Sequence, residues 1–201
     1  MYYNPWQMTE VTQRNLPHWQ QEGKLYFITF RLSDSIPTQK IRKWKAQREI
    51  WLQTHPEPLS EADIKEYETL FPEQLNDWLD AGMGECRLRT PANIGIVADA
   101  LRFFDGKRYR LSDYVIMPNH VHLLLQPAQN KSLPKILHSL KSYTSQEINK
   151  REDRKGSLWQ SESYTRIVRS PEEHSHFQHY IANNPEKAGL QLPKEAILST
   201  L

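Results

Sequence analysis

A chain of 201 residues with 38% apolar and 25% charged residues has the length and balance for one core of ordinary size, which excludes a disordered polyelectrolyte and a membrane bundle. No run approaches the roughly 18 apolar residues of a spanning helix and the aromatic N-terminus carries no signal-peptide pattern, so a cytoplasmic protein is expected. The net charge of +2 is split: from Pro56 to Glu85 nine acidic residues face Lys65 alone, a window of −8 that leaves +10 elsewhere. A basic body with an acidic appendage predicts a polyanionic partner that touches the body and avoids the appendage. The single cysteine, Cys86, rules out an internal disulfide and a cysteine-rich zinc site.

Residues 1–23 are polar and aromatic without periodicity and read as an irregular arm. Lys24 to Leu32 is rich in aromatic and β-branched residues and predicts a first strand. From Thr38 to about Thr54, Ile41, Trp44, Ile50 and Trp51 among basic residues predict an amphipathic helix. The acidic window predicts two short helices, about Ser60–Leu70 and Pro72–Asp80, the first opened by Ser60 with Asp63 three residues on. A helix from Thr90-Pro91 to Phe104 follows, then strands at about Arg110–Met117 and His120–Gln126 joined at Pro118-Asn119.

Lys131 to Arg151 is the longest helical stretch, with a stripe of Leu133, Ile136, Leu137, Leu140, Thr144 and Ile148. A strand is expected around Tyr164–Arg169. The last helix opens on Ser170-Pro171-Glu172-Glu173, a capping-box pattern, and should end near Asn184 because Pro185 disfavours helical geometry before it. The order of elements predicts a single α+β domain over 1–201, helices packed on an antiparallel sheet in a ferredoxin-like arrangement, with a helical insertion at about 56–85 and a short tail at 191–201.

Tyr114 to Pro127 holds the chemistry. Side chains alternate along a strand, so His120 and His122 share a face while Val121 and Leu123 point away. Two imidazoles side by side are two metal ligands in want of a third. Two helices offer one. Tyr180 and Asn184 lie four residues apart, hence on one face, and pair a phenol with an amide oxygen. Tyr143 and Glu147 have the same spacing, and the carboxylate is the stronger ligand for a hard cation. Spacing does not choose between them. The ligand set suits Mg2+, Mn2+, Zn2+ or iron.

Three segments carry a resemblance: Met117-Pro-Asn-His-Val-His-Leu-Leu-Leu, Leu158-Trp-Gln-Ser-Glu-Ser-Tyr, and Tyr180-Ile-Ala-Asn-Asn-Pro-Glu-Lys-Ala-Gly-Leu190. Together they resemble the REP-associated tyrosine transposases, IS200-like relatives of the single-tyrosine HUH transposases, over about Lys24 to Leu190. The resemblance implies an HUH-type fold in which His120, His122 and Asn184 hold Mg2+ or Mn2+. It implies Tyr180 as the nucleophile, and a substrate of single-stranded DNA flanking a repetitive extragenic palindrome hairpin. Tyr143 then becomes a structural or DNA-facing residue.

The expected chemistry is cleavage through a 5′-phosphotyrosine, reversed by the hydroxyl of another strand. His176, one turn before Tyr180, is a secondary candidate for assisting the phenol. Lys141, Arg151, Arg154, Lys155, Arg166, Arg169 and Lys187 are candidates for phosphate contacts, and Trp159 and Tyr164 for stacking on unpaired bases. A monomer is expected. The acidic window lies outside the resemblance, with no expected part in the four site residues. The competing readings are a catalytically silent DNA-binding derivative, an enzyme using Tyr143 and Glu147, and a metal-dependent hydrolase or oxygenase of small molecules.

Overall fold

The aromatic and β-branched run after Lys24 turns Tyr26, Ile28 and Phe30 to one face and Phe27, Thr29 and Arg31 to the other, and it pairs with a strand on each side. In the structure, a computed structural model that describes residues 1–7, 10–13, 17–56 and 59–201, this run is β3 (Tyr26–Arg31). Before it lie β1 (Glu10–Gln13) and β2 (Pro17–Gln20), an antiparallel pair where the sequence suggested an irregular arm. Residues 8–9 and 14–16 of that arm lie outside the described residues.

Beyond β3 come α1 (Thr38–Thr54), α2 (Glu61–Glu68), α3 (Gln74–Asp80), α4 (Pro91–Phe103), β4 (Tyr109–Ile116), β5 (His120–Pro127), α5 (Leu133–Arg151), β6 (Tyr164–Ile167), α6 (Pro171–Lys187) and β7 (Ile197–Leu198). The main sheet runs β6-β3-β5-β4-β7 and all its pairs are antiparallel. The first four of these strands, joined by α4 and α5, give the order expected of a ferredoxin-like βαββαβ unit. The α+β reading is thereby borne out. The tail adds an edge strand, and Asp113, buried at the irregularity between Leu111 and Tyr114, accepts from the Thr200 backbone at 2.8 Å.

Both sheet faces are covered. Tyr26, Ile28, Phe30, Val121, Leu123 and Leu125 pack against α4 and α5 in the larger core. Leu25, Phe27, Leu124 and Val168 face the other way and pack with Ile181 of α6. The parity that sends Val121 and Leu123 to α5 therefore sends His120 and His122 to the α6 side.

The acidic segment departs from the two separate helices expected. The π-helical turn Thr69–Glu73 carries Pro72 within it and joins α2 to α3 without a break. Phe71 from this turn packs with Trp44 and Trp51 of α1 in a small satellite core. Helix α6 continues past its expected end at Asn184 to Lys187 with Pro185 inside it. Burial of Ile181, Asn184 and Pro185 overrides the local bias against helix before proline. Among the described residues no helix is long and apolar enough to cross a membrane.

Candidate active site

Pro118 and Asn119 close the tightest possible turn between β4 and β5, with Met117 N donating to His120 O at 2.9 Å. The turn starts β5 with its first side chain already under α6. His120 and His122 are 0% exposed and their rings sit 4.5 Å apart. Asn119 does more than turn the chain. Its Nδ2 donates to the Met83 carbonyl at 2.9 Å, an acceptor only, and this orients its Oδ1 to accept from His120 Nδ1 at 2.7 Å. The proton of His120 is thus on Nδ1, and Nε2 presents a bare lone pair. His122 is held from Nδ1 by the Thr29 hydroxyl at 2.7 Å and stacked on Phe27, ring centroids 5.5 Å apart.

Helix α6 delivers the other two residues. Its Ser170 cap accepts from Glu173 N at 3.2 Å, while Glu173 turns back to Arg166 and Arg169 instead of completing the box. Phe177 stacks on Phe27 at 4.2 Å, which fixes the helix over the sheet. One turn on, Tyr180 Oη lies 3.4 Å from His122 Nε2. Asn184, 1% exposed, points its Nδ2 to Asp80 Oδ1 at 3.4 Å.

Asp80 is the residue that sequence reasoning missed. It ends α3, inside the acidic window, yet its Oδ1 stands 3.8 Å from His120 Nε2. Lys187 reaches Asp77 at 3.3 Å and Asp80 at 3.2 Å. The expectation that the acidic segment stands apart from the site is corrected here. No local pattern marks Asp80, because its position depends on where α3 packs, whereas Asn119 sits beside the first histidine and could have been suspected.

Burial sets the charges. It holds His120 neutral, its pKa pushed down to about 3, and His122 well below the usual histidine range, with help from neighbouring His120 and Lys187. Burial raises the Tyr180 phenol well above its ordinary value, and Asp80 and Asp77 raise it further. Three buried acceptor atoms here have no hydrogen-bond partner, His120 Nε2, Asn184 Oδ1 and Asp80 Oδ2, the last within ion-pair distance of Lys187. Orphaned lone pairs beside a neutral histidine pair fit a divalent cation.

The remaining predicted residues are scattered. Tyr143 is 53% exposed on α5, across the sheet from the histidines, so the pairing of Tyr143 and Glu147 with them is sterically excluded. Trp159 is 3% exposed, edge-on to Phe30 at 4.8 Å and donating to Thr144 at 2.8 Å, so it is a core residue with no face left for a base. Lys141 donates to Ser161 O at 2.8 Å beside a groove of about 800 Å³ along α5, and burial lowers its pKa to about 8. Arg166 pairs with Glu173 at 2.6 Å, Arg169 is exposed, Arg154 pairs with Glu85, and His176 is exposed against Phe177.

Residues 100–184 match the family model described as "Transposase IS200 like". That segment contains both histidines, Tyr180 and Asn184. No curated protein matches the chain. Among solved structures, a REP-associated tyrosine transposase bound to a REP hairpin is similar at 14% identity and a TM-score of 0.47, over 92% of this chain and 76% of its own. A protein of Deinococcus radiodurans R1 assigned to the transposases is similar at 16% identity and a TM-score of 0.36, over 80% of this chain and 89% of its own.

Proposed function

From the match of residues 100–184 to the model of IS200-like transposases, we propose that this chain cleaves and rejoins single-stranded DNA beside palindromic hairpins, with Tyr180 as nucleophile. One observation carries the reading: Tyr180, His122, His120 and Asn184 converge on one buried site although they come from two distant segments of the chain.

The chain's own residues position and restrain. Phe27 packs against both His122 and Tyr180, its ring 5.7 Å from the phenol, and so fixes the distance between ligand and nucleophile. His120, His122 and Asn184 are the residues that would hold Mg2+ or Mn2+, which supplies Lewis-acid polarisation of the scissile phosphate. Tyr180 Oη attacks phosphorus, the bond from phosphorus to the 3′-oxygen breaks, and the phenolic proton ends on the departing 3′-hydroxyl. A 5′-phosphotyrosine remains. Attack on it by another 3′-hydroxyl restores a phosphodiester and returns the proton to Tyr180, so no nucleotide cofactor is consumed. Burial and the nearby Asp80 and Asp77 raise the Tyr180 phenol above its ordinary value, so the attacking oxygen starts protonated. A cation held by His120, His122 and Asn184 would supply positive charge that favours loss of that proton.

Lys141, Arg166, Arg169 and Lys187 are the proposed phosphate contacts, of which Arg169 and Lys187 are exposed. All four site residues belong to one chain, which fits a monomer.

The test is a covalent adduct. Incubation with a single-stranded hairpin oligonucleotide and Mn2+ should give a protein–DNA species that survives denaturing electrophoresis. Tyr180→Phe should abolish it and Tyr143→Phe should leave it at the wild-type level. An adduct that persists in Tyr180→Phe and vanishes in Tyr143→Phe would overturn the assignment.

A further inference from the structure

We propose that Asp80, the last residue of α3, is a fourth ligand of the divalent cation, which makes the acidic segment part of the catalytic centre. The inference rests on the metal-site reading above and adds to it a ligand from outside residues 100–184.

Asp80, His120 and His122 each offer a ligand atom, and these atoms all lie within 4.8 Å of one another. The closest approach to the carboxylate is from His120 Nε2, at 3.8 Å. Ligand atoms about 2.1 Å from a cation stand about 3 Å apart when adjacent and about 4.2 Å apart when opposite. A separation of 3.8 Å falls within that range and is too long for a hydrogen bond.

Proton placement makes the arrangement hard to explain otherwise. Asn119 Oδ1 accepts a hydrogen bond from His120 Nδ1, which keeps its proton, so the Nε2 that faces Asp80 is a lone pair. A lone pair facing a carboxylate repels it. His120 Nε2 is buried and makes no hydrogen bond, and the buried Asn184 Oδ1 and Asp80 Oδ2 have no hydrogen-bond partner either. A cation between these acceptors turns each repulsion into an attraction.

The chemistry of the set points the same way. Two imidazoles and an amide bring no negative charge, whereas Mg2+ and Mn2+ favour anionic oxygen. Asp80 is the only carboxylate among the described residues grouped with the histidine pair. Asp80 Oδ2 lies 3.2 Å from Lys187, and Oδ1, which accepts from Asn184 Nδ2 at 3.4 Å, is the oxygen 3.8 Å from His120 Nε2.

Calorimetric titration with Mn2+ tests this without reference to cleavage. Asp80→Asn should weaken Mn2+ binding at least about tenfold. Asp77→Asn, which touches Lys187 and neither histidine, should stay within about twofold of wild type. Asp80→Cys gives a second readout that a purely structural residue would not move: Cd2+ should raise a thiolate charge-transfer band absent from the wild type, whose Cys86 serves as the internal control. Unchanged Mn2+ affinity in Asp80→Asn overturns the inference while leaving the histidine site standing, and so does the absence of the Cd2+ band. Tighter binding in Asp80→Asn makes Asp80 a latch that competes with the cation, which also overturns it. A wild-type chain that binds no Mn2+ defeats the metal-site reading itself.

Discussion

His120 combines full burial with a fixed tautomer, and each has a measurable consequence. Asn119 links the Met83 carbonyl to His120 Nδ1, so the end of the acidic segment helps orient the first histidine. Asn119→Ala should lower Mn2+ affinity by about 10- to 100-fold, as loss of a hydrogen-bonded partner behind a ligating histidine usually does. A calorimetric titration that finds no change would show the tautomer to be fixed by other means. The same burial gives the metal-free protein an acid-sensitive fold. His120 binds its proton near pH 6.5 when unfolded and near pH 3 when folded. Between those values unfolding takes up a proton, so stability falls as pH falls, by about 1.4 kcal/mol per pH unit for each such histidine. The melting temperature without metal should decline from about pH 6.5 downward, and less steeply in His120→Asn.

At the scale of elements, the return of the acidic segment to the sheet is the constrained step. Gly84 has φ +86°, and a Cβ built there falls 2.7 Å from the Asp34 carbonyl oxygen. Its neighbour Glu85 N donates to Asp34 Oδ2 at 2.8 Å, so the loop after β3 and the exit from α3 are tied at this point. Gly84→Ala should therefore cost about 1 to 3 kcal/mol, from left-handed strain plus the clash. Gly82→Ala, at φ +65° with open space around it, should cost only about 1 kcal/mol. Thermal melts of the two variants side by side measure the difference, and equal losses would mean that the loop relaxes around the added methyl. The sheet and the histidine pair were legible in the sequence because both depend on a local periodicity, the two-residue alternation that put both histidines on one face. The four-residue spacing fitted Tyr143 with Glu147 as well as Tyr180 with Asn184, and only the resemblance carried by the Tyr180–Leu190 segment chose between them. Asp80 was not legible, since its place follows from the packing of Trp44, Trp51 and Phe71 far along the chain. Trp159 was misjudged for a related reason. An indole beside basic residues suggests a stacking platform, and only the fold shows that Phe30 and Thr144 already occupy it.

Across the whole molecule, the −8 of the acidic window and the +10 of the remainder meet at the active site. Asp77 and Asp80 are within ion-pair distance of Lys187, a cation otherwise free to meet a phosphate, and they add negative potential beside Tyr180. On the proposed function, this arrangement in the metal-free protein would repel a phosphate at the site while the basic residues elsewhere would attract a DNA backbone. A divalent cation at the histidine pair reverses the sign at the centre and leaves the periphery unchanged. Metal should therefore act on DNA binding as well as on cleavage. With Tyr180→Phe, which removes the covalent step, Mn2+ should tighten binding of a single-stranded hairpin oligonucleotide about tenfold, equivalent to about 1.4 kcal/mol. Fluorescence anisotropy at fixed ionic strength, with Mn2+ or with EDTA, reads this directly. The gain should fall in Asp77→Asn, a change expected to leave Mn2+ binding in place, because part of the repulsion that the cation cancels is then already absent. Equal affinity with Mn2+ and with EDTA in Tyr180→Phe would mean that the basic periphery alone holds the DNA and that the acidic segment has no electrostatic part in its capture.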